Sequence, residues 1–279
     1  MPVAARPSVR TALVSLLAVT LAATALAQYP WQWRPRRVPP RFATPEDFDG
    51  GFNFCRIMYE RVRYEAGGQG WSTDYPSSDV NFSIRLSQIT KTHVSLDERG
   101  EPRHIVIPLT DASLFRCPIV MIEDAGTAAF SDDEVQALRA YLLKGGFLWV
   151  DDFWGTLAWE SWIREIGKVL PPDQYPVRDV PLDHPMLHTL YAVSRVPQIP
   201  SIQFWRQSAG LTSERGFDSA EPHMRAIFDA DERVMVLMTH NTDISDAWER
   251  EGEERDFFYR FSLDGYAVGI DVMLYAMTH

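Results

Sequence analysis

Tyr141-Leu142-Leu143-Lys144-Gly145-Gly146-Phe147-Leu148-Trp149-Val150-Asp151-Asp152-Phe153-Trp154-Gly155 reads as a helix end, a two-glycine stop and an apolar strand running into two aspartates. The helix behind it opens at Ser131-Asp132-Asp133-Glu134. Ser131 suits the N-cap and Glu134 the N3 position of a capping box, while Phe130 and Val135 form the apolar pair that fixes the entry angle. Val135, Leu138 and Leu142 recur at helical spacing before the glycine stop.

The same alternation extends to both sides. Phe52 to Tyr59 predicts the first strand, and Gly67, Gly68 and Gly70 break the chain before Trp71. Ser78 or Asp79 can cap a helix carrying Phe82, Leu86 and Ile89 on one face. Short strands are predicted at Val94-Ser95-Leu96, His104 to Leu109 and Pro118 to Ile122. Trp159, Trp162, Ile163, Ile166 and Leu170 predict a helix that Pro171-Pro172 stops. Ala226-Ile227-Phe228 and Val234 to Met238 read as strands around Asp229-Ala230-Asp231, and Tyr266, Ile270, Met273 and Met277 form a final helical stripe. Strands alternating with helices predict an α/β sheet with helices on both faces.

The chain of 279 residues has a net charge of −11, and from Phe42 onward 21 Lys+Arg face 38 Asp+Glu, a balance of −17. So acidic a body repels phosphate backbones, which argues against nucleic acid as a partner. Hydrophobic residues make up 46% of the chain, enough for a buried core, which excludes global disorder. Arg6 and Arg10 precede an apolar run from Thr11 to Leu26 that ends in Ala25-Leu26-Ala27. That pattern predicts a secretory signal peptide over 1–27, cleaved near Ala27. The Pro- and Arg-rich stretch 28–48, with Trp31 and Trp33, reads as an extended tether, and 49–279 as a single α/β domain. No transmembrane segment is expected after cleavage, so the expected location is periplasmic or extracellular. There, Cys55 and Cys117 could form one bridge, but each lies in a strand-like run, and the reading preferred here is a pair of buried free thiols.

In open α/β sheets, ligands bind beyond the carboxyl ends of the strands. The Pro118 strand ends at Glu123 and Asp124, the Phe147 strand at Asp151, Asp152 and Trp154, and the Val234 strand at His240, Asn241 and Asp243; the loop after the first strand brings Trp71. Paired carboxylates can perform acid/base work, so Asp151 and Asp152 are the catalytic candidates. Neighbours on a strand point to opposite faces, however, so only one need enter a cleft, and capping of the next helix is the competing role for each. His184 and His188 lie four apart, with His223 and His240 elsewhere, but no H-E-x-x-H or Cys/His framework is present. These histidines are read as structural; no metal and no cofactor is expected, and Pro185 at a helix N1 position would make His184 a cap. Trp71, Trp154, Trp205 and Trp248 near loops, beside carboxylates, would suit sugar faces. The acidic run from Glu249 to Asp256 reads as a solvated face.

Phe52-Asn53-Phe54-Cys55-Arg56, Trp71-Ser72-Thr73-Asp74-Tyr75-Pro76, the Tyr141 to Gly155 stretch, Leu182-Asp183-His184-Pro185, Glu221-Pro222-His223, His240-Asn241-Thr242-Asp243 and Tyr275-Ala276-Met277-Thr278-His279 together resemble the bacterial domain of unknown function 4159 family. The resemblance runs from about Asp49 to His279. It implies a flavodoxin-like open, mostly parallel sheet of the class I glutamine amidotransferase-like (ThuA-like) type, with helices on both faces, plus a β-hairpin. It also implies an envelope partner. Amidotransferases of this type place a nucleophilic cysteine on a tight turn after a strand; the comparable stretch here, Val150 to Gly155, has an aspartate there.

The role these readings lead us to expect is an exported, noncatalytic binding or accessory module of the bacterial envelope. Its pocket would use Glu123, Asp124, Asp151, Asp152, His184, His223 and His240, with an envelope protein or a carbohydrate as ligand. The alternative is a hydrolase of carbohydrate or cell-wall material using Asp151 or Asp152, with or without a metal.

Overall fold

A strand that is apolar on both faces needs cover on both sides, and the central strands of this chain are apolar over most of their length. The computed structural model describes residues 38–279, and the predicted signal peptide and the tether up to Arg37 lie outside the described residues. In chain order the elements are β1 (Phe54–Met58), β2 (Glu60–Arg61), α1 (Ser77–Ile89), β3 (His104–Pro108), β4 (Ile119–Ile122), β5 (Ala128–Ala129), α2 (Asp132–Leu143) and β6 (Phe147–Phe153). There follow α3 (Gly155–Val169), β7 (Val177–Asp179), α4 (Ile202–Gln207), β8 (His223–Phe228), β9 (Val234–His240), α5 (Asp246–Glu249), α6 (Arg255–Phe257) and α7 (Leu263–Thr278).

Seven strands form one sheet in the order β3-β1-β4-β6-β9-β8-β7. The first five are parallel, while β8 runs antiparallel to both β9 and β7. β8 and β9 are the hairpin around Asp229-Ala230-Asp231, and β2 and β5 form a separate antiparallel pair. This is the open, mostly parallel α/β sheet expected from the sequence.

Side-chain alternation distributes the core. Ile119, Met121, Phe147 and Trp149 enter the cluster that holds Phe82 and Leu86 of α1 and Ile270 and Met273 of α7. Val120, Ile122, Leu148 and Val150 enter the other, with Leu138 and Leu142 of α2 and Trp162 and Ile166 of α3. The helices therefore lie on both faces. The capping box of α2 is formed as read: Glu134 N donates to Ser131 Oγ at 3.4 Å and Ser131 N to Glu134 Oε2 at 2.8 Å. α1 differs. Pro76 is its N-cap, and Asp79, read as a possible cap, is held instead by Arg56.

Residues 39–48, assigned to the tether from composition, lie against the outer edge of β3. Val106 N donates to Arg41 O at 2.9 Å, and Phe42 bridges to Val106. An edge strand is thereby covered rather than left open for pairing with other chains. Among the described residues, no helix is long and apolar enough to cross a membrane.

The cysteines correct the sequence reading. Cys55 and Cys117 are joined in a disulfide, with Cα atoms 6.3 Å apart, rather than standing as free thiols. The reason is strand order: β1 lies next to β4, and both sulfurs enter the same core face. In the denatured, unreduced protein a thiol reagent is expected to find no free thiol, and two after reduction. Replacing both cysteines by alanine should cost roughly 2–4 kcal/mol, measured by urea unfolding of the unreduced proteins.

Candidate functional site

The connection leaving β1 runs to β3 on one side, and the connection leaving β4 runs to β6 on the other. Between these neighbours lies the switch point at which open α/β sheets form their crevice. A cavity of about 280 Å³ opens there, lined by eight carboxylates and one arginine. The loop after β1 delivers Glu65 and Asp74, β4 delivers Asp124, β6 delivers Asp152, and the segment after β9 delivers Asp243, Asp246 and Glu249. Glu214 and Arg215 come from the loop after α4.

The walls are held by a small number of long-range bonds. Arg56 on β1 is fully buried; Nε lies 3.2 Å from both Asp79 oxygens, and Nη1 donates to Thr73 O at 3.0 Å and Trp71 O at 3.3 Å. It thus fixes the turn that carries Asp74. Tyr59 Oη donates to the carbonyls of Glu123 and Asp124 at 2.7 and 2.8 Å, setting the turn after β4. Gly70 N donates to Asp124 Oδ2 at 2.7 Å, and any Cβ at Gly68 would collide with that same carboxylate. The β1 loop is therefore pressed onto Asp124, an approach that only glycine permits.

Burial and mutual repulsion dominate the electrostatics. Burial, reinforced by neighbouring carboxylates, holds Asp152, Asp243 and Asp246 well above the usual carboxyl range. Burial pushes Asp124 up to about 7, against the pull of Gly70 N–H, and Glu249 up to about 8. Arg215 reaches Glu214 at 3.3 Å and Glu65 at 3.6 Å, on one wall only.

The residues read from the sequence divide. Asp124, Asp152, Trp154 and Asp243 line the cavity. Asp151 and Asp152 take different roles at a bulge, where the β6 register against β9 shifts between Val150 and Phe153. Asp151 is fully buried, accepting from Thr239 Oγ1 at 2.5 Å and Ser245 N at 3.0 Å, whereas Asp152 faces the cleft and accepts from Trp154 Nε1 at 3.0 Å. Glu123 lies just beneath the cavity floor, fully buried, 3.6 Å from Arg56 Nη2. Asn241 braces the β6 turn, accepting from Gly155 N at 2.8 Å and donating to Glu221 O at 2.9 Å.

Four expectations are corrected. His184 is a helix cap, as Pro185 suggested, with Nδ1 accepting from Met186 N, and it lies beside Phe228 and Tyr275, away from the strand-end cavity. His223 and His240 stack on each other next to Trp159 and Arg225, a cluster outside the cavity lining. Trp71 is half-buried, meets Tyr75 in a tilted contact and lends its carbonyl to Arg56 outside the cavity lining, and Trp248 is fully buried against Phe82 and Trp149 and offers no face to a sugar. Glu249, read as part of a solvated face, lines the cavity.

Asp74, Asp246, Glu65 and Glu214 also line the cavity, beyond the residues expected from the sequence. Asp74 had a signal, since it belongs to the Trp71 to Pro76 motif, and Asp246 lies three residues after Asp243. Two sets of carboxylates bring one oxygen each within 4.8 Å of one another: Asp74 with Asp246 and Glu249, and Asp74 with Glu123 and Asp243. Both could hold a cation.

Two measurements test this architecture. Arg56→Met, which strands Asp79 in the core, should cost about 3–5 kcal/mol in urea unfolding, and adding Asp79→Leu should restore part of it. His240 donates Nε2–H to Gly155 O at 3.1 Å, and burial pushes its imidazole down to about 4. Its NMR titration midpoint should fall near 4; between that pH and about 6.5 the unfolded chain takes up a proton the native ring refuses. The His240 contribution to stability is then complete above about 6.5 and declines as pH drops through the window. A midpoint near 6.5 would contradict the buried, neutral ring.

No curated protein matches the chain. Residues 58–277 match the family described as Domain of unknown function (DUF4159), which spans all the strand-end loops of the cavity. By this match over most of its length, the chain belongs to that family.

Proposed function

We propose that this protein is an exported, noncatalytic ligand-binding module of the bacterial envelope, with the acidic strand-end cleft as its binding site. The observation that carries this reading is the state of the groups that could start covalent chemistry. Both cysteines are locked in a disulfide in the core, outside the cleft lining. In the cleft itself, Ser201 Oγ caps α4 through Phe204 N at 3.2 Å, and Thr73 Oγ1 is held between Gln69 N and Gly70 O. Neither cleft hydroxyl is bonded to a histidine or a lysine that could take its proton. The disulfide also favours an oxidising compartment, in accord with the leader read at residues 1–27.

A relationship to ThuA-like and amidotransferase folds is part of this proposal, and on that reading the thiol position is taken by an aspartate. A second reading, hydrolysis of carbohydrate or cell-wall material, draws on Asp152 alone. It stands at φ +49 at the bulge near the end of β6 and faces the cleft beside other carboxylates, while Asp151 is committed to Thr239 and Ser245. Wild type and Asp152→Asn, matched in melting temperature, should be compared on chromogenic glycosides, esters and glutamine. The binding reading expects no turnover that distinguishes them. Turnover present in wild type and lost in Asp152→Asn would transfer the assignment to a hydrolase.

A further inference from the structure

Glu123 poses an electrostatic problem that the described residues do not solve. Its side chain is fully buried, and neither carboxylate oxygen has a hydrogen-bond partner among the described residues. The nearest cation, Arg56 Nη2, is 3.6 Å away and already engages Asp79 in a charge-assisted pair. One guanidinium faces two buried carboxylates and bonds to one of them. An unpartnered buried carboxylate is costly, and two further acids, Asp74 and Asp243, each place an oxygen within 4.8 Å of it. Asp74 belongs at the same time to the group with Asp246 and Glu249.

We infer that the floor of the cleft is a divalent-cation site in which Asp74 is shared between the Glu123–Asp243 pair and the Asp246–Glu249 pair. The inference rests on the reading of this cleft as the binding site and names its ligand. Every donor is a carboxylate oxygen, with no imidazole or thiolate in either group, which selects hard cations of the Ca2+, Mn2+ and Mg2+ class. Among these, Ca2+ takes about 6–8 oxygens in a flexible geometry, which suits donors carried on separate loops. A shared carboxylate also allows two ions, one in each group. The existing hydrogen bonds are compatible with this arrangement: Ser245 Oγ lies 2.7 Å from Asp74 Oδ2 and 3.0 Å from Asp243 Oδ1, which leaves the second oxygen of each free of that contact.

The test uses the full chain, treated with chelator, freed of it, and titrated with CaCl2, MnCl2 or MgCl2 by calorimetry and thermal melting. Wild type should bind one or two Ca2+ and gain about 5–10 °C at a concentration about 100-fold above Kd. Asp74→Asn keeps an acceptor for Ser245 and a residue type suited to the positive φ of 60°, but removes the shared charge. It should bind Ca2+ at least tenfold more weakly and, without cation, melt at or above the wild-type temperature because repulsion is relieved. Glu123→Gln should behave alike, and Asp264→Asn, on the exposed start of α7, should bind as wild type. No response of wild type to any of the three cations, or Asp74→Asn affinity within tenfold of wild type, overturns the site. So does an Asp74→Asn protein that melts below wild type in the absence of cation, the mark of a structural aspartate. Failure here with turnover still absent removes the cation alone. Cation-dependent turnover abolished in Asp152→Asn would keep the ion and overturn the noncatalytic reading.

Discussion

One buried guanidinium organises this protein. Arg56 lies in the middle of β1, has no exposed surface, and reaches in three directions: to Asp79 on α1, to the Trp71 and Thr73 carbonyls, and towards Glu123 at the end of β4. A charge with no access to water must be matched by neighbours, so α1 and the β1 loop dock where they satisfy it. The docking of that loop determines where Asp74 stands, and Asp74 is common to both carboxylate groups. A single solvation constraint inside the sheet thus sets the geometry of the cleft above it.

The arginine also explains why the charge of the cleft is unbalanced from within. Asp79 takes the direct bonds, Glu123 is left at 3.6 Å, and of the cavity acids beyond it Glu65 pairs with Arg63 and Arg215, Glu214 with Arg215 and Glu249 with Arg250 at the rim. The body balance of −17 is therefore not spread evenly over a solvated surface. Part of it is concentrated where desolvation makes it most costly to the empty protein. Such concentration is the usual price of a site rather than of a fold.

What could be read in the chain follows a physical division between local and nonlocal determinants. The α2 capping box, the apolar β4 and β6 runs and the glycine stop at Gly145-Gly146 are local, and each is found as read. The setting of Asp151 and Asp152 was only partly local, because a bulge shifts the β6 register against β9 between Val150 and Phe153. The Cys55–Cys117 bridge was not local, since it depends on β1 lying beside β4, a consequence of sheet order. Asp246 and Glu249 sit in a charge-rich stretch that resembles a surface turn. Only the return of that stretch over the end of β9 places it against Asp74. His184, His223 and His240 misled for the converse reason: imidazoles attract attention as residue types, while their positions at a cap and beside Trp159 are set by packing.

The backbone at the cleft shows how fold and site share the same residues. Asp74, Asp124, Asp152 and Asn241 all have positive φ, between 49° and 61°, and all lie where the chain leaves the sheet or turns back over it. The left-handed region is disfavoured for most side chains but tolerated by Asp and Asn, whose short polar groups can bond locally. Asn241 uses this tolerance structurally, since its amide joins the Gly155 and Glu221 backbones. At the other three places glycine would relax the same turn at less steric cost. Glycine, however, would leave Gly70 N and Trp154 Nε1 without the acceptors they now have, and would remove three of the carboxylates from the cavity. Aspartate is the residue type that both allows the turn and presents an oxygen pair to the cleft, which is why the bends of this sheet edge and its charge coincide.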